Sequence, residues 1–205
     1  MNHIQNILSV YDQANADEIV AGKSWYAEAK REAQAIADKY ELPLAIVVGV
    51  IAALSPTNKW DRNLQDADAM CSVFVEGGYI EEVTVCTYET MREKAWSILA
   101  DMPGESTECG GLRPNAKLVA NILRGPKITD FFWCILGHDV CVIDGHAWCI
   151  ANADRRTMQE VPNIGKKLRQ DLQDAYRVAA HAQGLTAYEM QAITWTAWRR
   201  IHGVA

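Results

Sequence analysis

Apolar side chains recur every three or four positions over most of this chain and almost nowhere alternate, so helices are predicted throughout and strands hardly at all. From Ala16 to Tyr40, residues such as Ile19, Tyr26, Ala33 and Ile36 keep that rhythm with charges between them, an amphipathic helix with a break expected near Gly22. Leu42 to Leu54 is apolar on every side, which predicts a central helix enclosed by protein, with Pro43 in its first turn. Ser55-Pro56-Thr57-Asn58 ends it, and Lys59 to Val75 reads as the next helix, closed by Gly77-Gly78. Further helices are expected over Tyr88–Ala100, Asn115–Leu123, Lys127–Leu136, from His146 onward, and over Gly165–Ala182, with an exposed loop at residues 103–111. Thr186 and Glu189 form a capping-box pair that starts the last helix. The expectation is an all-α protein of about nine or ten helices.

At 205 residues the chain can bury an adequate core as one large domain or two small ones. About half of it is hydrophobic and its charged fraction is ordinary, as in a soluble globular protein. The first residues lack a basic leader and a cleavage site, and the longest apolar run is too short to span a bilayer. A cytoplasmic, non-membrane protein is therefore expected (host cytoplasm if the chain is phage-encoded). Cysteines 71, 86, 109, 134, 141 and 149 make no Cys-x-x-Cys pair and read as reduced thiols; no zinc, iron–sulfur cluster or other cofactor is expected. The net charge of −6 conceals an asymmetry: residues 1–110 hold 18 acids and 8 bases, residues 111–205 hold 8 acids and 12 bases. A chain divided in this way can turn a basic face to phosphates, which permits a nucleic-acid partner without demanding one.

The stretch with the most distinctive chemistry runs from Leu123 to Ala151. Gly125-Pro126-Lys127-Ile128-Thr129-Asp130 opens a helix on a lysine, and seventeen residues after Lys127 comes Asp144, in Val142-Ile143-Asp144-Gly145-His146-Ala147-Trp148. These residues resemble the core of the helix-hairpin-helix DNA glycosylases, in particular the 8-oxoguanine DNA glycosylase and endonuclease III branches. Upstream, Ile51-Ala52-Ala53-Leu54-Ser55-Pro56-Thr57, then Trp60 and Asn63, is similar to the end of that family's central helix and the loop that enters DNA. Two features depart from the pattern: the glycine-rich hairpin is reduced to Arg124-Gly125-Pro126, where Pro126 lacks an N–H, and the C-terminal cluster cysteines are missing.

The resemblance implies a two-lobed helical fold with a cleft between a central bundle, residues 41–130, and a lobe built from residues 1–40 and 131–205. It implies that Lys127 attacks C1′ of a flipped nucleotide while Asp144 stabilises developing positive charge, giving N-glycosylase and AP-lyase activity on DNA by a monomer. Ser55, Thr57, Asn58, Trp60, Asn63 and His146 become candidates for the base pocket or the wedge. Arg124, Gly125, Lys166 and Lys167 become candidates for the DNA backbone, the last two in a second hairpin-like segment, Val161 to Leu168. Asp144 also reads as a helix N-cap, and His146, Trp133, Trp148, Trp195 and Trp198 as packing residues. Two alternatives remain open: a phage enzyme of the same fold that substitutes thymine-derived bases, and a non-catalytic DNA-binding or DNA-mimicking protein.

Overall fold

A computed structural model describes residues 2–101, 104–106 and 112–203. Among the described residues there are ten α-helices: α1 (His3–Tyr11), α2 (Ala16–Lys39), α3 (Leu44–Leu54), α4 (Trp60–Val75), α5 (Glu89–Asp101), α6 (Ala116–Leu123), α7 (Pro126–Leu136), α8 (Gly145–Asn152), α9 (Lys166–Ala182) and α10 (Ala187–His202). The protein is all-α as expected. Gly104–Ser106, in the stretch read as a loop, pairs antiparallel with Leu112–Pro114 just after it; Cys109 lies outside the described residues. Among the described residues no helix is long and apolar enough to cross a membrane.

The helices divide into two compact units, residues 29–136 and residues 1–28 with 137–205. The boundaries fall inside α2 and at the end of α7, against the 40/41 and 130/131 boundaries expected from the sequence.

In the 29–136 unit, α3 is the axis, and α4, α5, α6 and α7 all pack on it. Its residues Ile46 to Leu54 are all buried, which is why a helix apolar on every side is stable here. Pro43 stands one position before α3, as its N-cap, where its missing N–H leaves no helix bond unmade.

In the other unit, α1, α8, α9 and α10 enclose a core that includes Ile7, Ile143, Leu172, Tyr176 and Met190. Helix α1 is not marked by the sequence periodicity; Asn2 caps it and Ile7 and Val10 are buried. The break expected at Gly22 does not occur, because α2 is continuous. A Cβ at Gly22 would come within 2.6 Å of the Ile193 backbone nitrogen, so this glycine is an approach point for α10 and not a helix breaker.

Candidate functional site

Helices α6 and α7 are separated by only Arg124 and Gly125 and pack on one another. Asn115 starts the pair by accepting the Lys117 amide at 2.9 Å. Arg124 makes the reversal in the left-handed region at φ +56°. Pro126 opens α7 where a missing N–H costs nothing, and Lys127 follows in the first turn. The Lys127 side chain is exposed and has no hydrogen bond or ion pair among the described residues. A second cation stands behind the turn. Lys94 reaches from α5 and donates to the Leu123 carbonyl at 2.6 Å, satisfying an end-of-helix acceptor. Burial, and then the charge of Arg124, push the Lys94 ammonium below its usual pKa.

The loop between α3 and α4 belongs to the same unit. Thr57 is exposed at φ +59°, a strained backbone for a β-branched residue. Ser55 Oγ donates to the Ala52 carbonyl at 2.9 Å and fixes the start of the loop. Beneath it, Asn58 Nδ2 donates to Asp66 at 2.9 Å, and Asp66 also accepts from Arg62 Nε and the Cys86 amide. Asn63 is 2% exposed and donates to the Ile51 carbonyl at 3.0 Å. It braces the loop from within and offers no surface to a base, a correction to its expected place in the pocket. Trp60, half-buried at the start of α4, gives its indole N–H to Glu32 at 2.9 Å and meets Phe131 edge-to-face at 6.2 Å.

In the other unit Asp144 caps α8: its Oδ1 accepts the Ala147 amide at 2.9 Å. The other carboxylate oxygen, Oδ2, accepts nothing among the described residues. The extended Cys141–Ile143 segment that delivers Asp144 is buried, and α9 holds it by two bonds, Arg169 to the Ile143 carbonyl and Gln173 to the Cys141 carbonyl. His146 lies edge-on to Trp195, 6.3 Å between ring centres, with its Nδ1 buried and unpartnered. Arg199 stacks over Trp195 at 4.4 Å, and Arg200 is engaged with Glu18. Trp148 and Trp198 are buried as expected, whereas Trp133 and Trp195 are half-buried.

Lys166 and Lys167 are exposed in the first turn of α9. The segment before them is not a two-helix hairpin: α8 ends at Asn152, and irregular chain with turns fills the interval. Of the described cysteines, Cys71, Cys134, Cys141 and Cys149 are buried and Cys86 is exposed, all as free thiols. Burial raises the Cys71 pKa to about 12, which removes it as a nucleophile at neutral pH.

The sequence thus singled out Lys127 and Asp144, one in each unit, but gave no sign of Lys94, Glu32 or Phe131. Helical periodicity marks each of those three only as a face residue.

The chain belongs to a family whose function is unknown, described as "Family of unknown function (DUF7178)", whose model matches residues 1–202. Neither the curated proteins nor the solved structures contain a match to it.

Proposed function

We propose that this protein is a DNA base-excision enzyme of the helix-hairpin-helix type. It removes a damaged or modified base and then opens the strand at the resulting site. The observation that carries this reading is the tight α6–α7 turn with an exposed Lys127, unpaired among the described residues, in the first turn after it. A helix start of this kind, with Arg124 in the turn itself, suits a phosphate backbone. Asp144 adds a carboxylate with one oxygen uncommitted.

In the proposed reaction Lys127 Nζ uses its lone pair to form a bond to C1′ as the C1′–N bond breaks. The bonding electrons leave with the base, which takes up a proton. The resemblance assigns to Asp144 the carboxylate that stabilises the positive charge growing on the sugar, and the proton that Nζ sheds passes to solvent. Opening of the sugar ring leaves a Schiff base, and loss of the C2′ proton then expels the 3′ phosphate by β-elimination. No metal or cofactor enters these steps.

The test is incubation of the full chain with duplexes that each carry one modified base, followed by mass analysis of free bases and strands. Release of a free base supports the reading. A changed base that stays attached to its sugar would instead identify a base-modifying enzyme, and intact DNA throughout would contradict catalysis on DNA.

A further inference from the structure

The Leu123 carbonyl, the last of α6, accepts two bonds at once: from the Gly125 amide at 2.6 Å, and from the Lys94 ammonium, reaching over from α5, at 2.6 Å. The first of these closes a three-residue turn with Arg124 at its centre, φ +56° and ψ −32°. A γ-turn of positive φ is rare and strained, and such strain persists only where the surroundings over-determine it. Arg124 Nε folds back to the Asn121 carbonyl at 3.3 Å, so two cations share the C-terminal end of α6. The helix dipole favours both there, but they repel one another. Burial, and then Arg124, hold the Lys94 ammonium below its usual pKa. A neutral donor would meet no such opposition. What the ammonium adds is a charge-assisted bond, roughly twice as strong as a neutral one. All of these residues belong to the 29–136 unit.

We infer that Lys94 is a positioning residue: it holds the α6–α7 turn in its strained form and so fixes the direction in which Arg124 and Lys127 leave the chain. This rests on the reading of Lys127 as the reacting amine. The route from Lys94 to Lys127 is short. Lys94 fixes the Leu123 carbonyl, and with it the peptide plane that enters Arg124. Pro126, its φ locked by the ring, then opens α7 directly after Gly125, and Lys127 follows. Without the ammonium, Arg124 is free to relax toward negative φ, which re-aims the first turn of α7. A misplacement of about 1 Å can cost about a hundredfold in the rate of a positioned reaction. Lys94 touches no substrate in this role, because it is half-buried behind the turn and bonds to the protein's own carbonyl. A lysine that met phosphate would act on affinity and its salt dependence; a positioning lysine acts on the rate.

Two variants of the full chain test it: Lys94→Met, which keeps an unbranched side chain without its donors, and Lys94→Arg, whose guanidinium can reach the same carbonyl. Hydrogen exchange of the Gly125 amide reads the turn itself and needs no substrate. It should be about tenfold faster in Lys94→Met than in the wild type, and within about twofold of the wild type in Lys94→Arg. Borohydride trapping at saturating DNA with an abasic site reads the consequence. The adduct should form about tenfold more slowly in Lys94→Met and recover in Lys94→Arg. The salt dependence of DNA affinity should be the same in all three proteins, whereas loss of a phosphate contact would lower its slope by about one. Unchanged exchange in Lys94→Met, an unchanged trapping rate, or a lowered salt slope overturns the inference. Absence of any adduct with the wild type contradicts base excision instead, and the exchange rates then decide whether Lys94 holds the turn.

Discussion

Asp144 accepts the Ala147 amide through one carboxylate oxygen, and the other accepts from nothing among the described residues. One side chain closes the N-terminus of α8 and, under the proposed reading, also supplies the carboxylate for base excision. The two roles separate by substitution. Asp144→Asn keeps an oxygen for the Ala147 N–H, so its urea midpoint should stay close to that of the wild type. Asp144→Ala should cost about 1 kcal/mol of stability through the lost cap. Under the proposed reading base release should fall steeply in both variants, because neither an amide nor a methyl can stabilise cationic charge on the sugar.

Gly22 offers a prediction in which two effects have opposite signs. In an open helix, Gly→Ala stabilises by roughly 0.5–1 kcal/mol. Here the new methyl would lie 2.6 Å from the Ile193 backbone nitrogen and 2.7 Å from its Cα, atoms that cannot swing aside. Overpacking of this sort costs about 1–3 kcal/mol, so crowding wins. Gly22→Ala should lower the melting temperature, and an unchanged or raised value would contradict the close approach of α2 and α10.

Acid should weaken the junction between Glu18 and Arg200. The guanidinium donates to both Glu18 oxygens and holds that carboxyl below its ordinary pKa of 4.5, against the opposing effect of burial. A depressed carboxylate pKa contributes stability that is fully present above the unfolded value and is lost as pH falls through the folded one. The wild type should therefore be more stable than Glu18→Gln at neutral pH, and the gap should close only as the pH drops below about 4.5. Urea unfolding of both proteins across that range measures it. A gap independent of pH would contradict the ion pair.

Asn63 tests the brace beneath the loop. It is buried and donates to the Ile51 carbonyl. Asn63→Leu should cost about 1–3 kcal/mol, since the carbonyl loses its side-chain donor in a dry setting. Chemical denaturation checks this, and a neutral result would mean that water replaces the amide.

The sequence disclosed what local rules govern. The apolar run of α3 could only be stable inside protein, and the Thr186–Glu189 capping box and the Asp144 cap are short-range bonds whose partners lie three residues apart. Helix α1 escaped notice because it is nine residues long and stands on tertiary packing against α8 and α9. Gly22 misled because propensity ranks glycine as a breaker, whereas the contact that requires it comes from a helix far along the chain. Glu32 was illegible for the same reason. Nothing in its own neighbourhood distinguishes it from other helix-face carboxylates until Trp60, 28 residues on, donates to it.

A covalent bond between Lys127 and C1′ of DNA is tested most directly by borohydride, which reduces the Schiff base to a stable amine. Incubation of the chain with DNA carrying modified bases or abasic sites, in the presence of borohydride, should give a protein–DNA adduct whose cross-linked peptide contains Lys127. Lys127→Ala should give none while keeping its fold, because an exposed residue with no partner among the described residues contributes within about 0.5 kcal/mol of stability. An adduct that persists undiminished in Lys127→Ala, or no adduct with any of these substrates, would contradict the account.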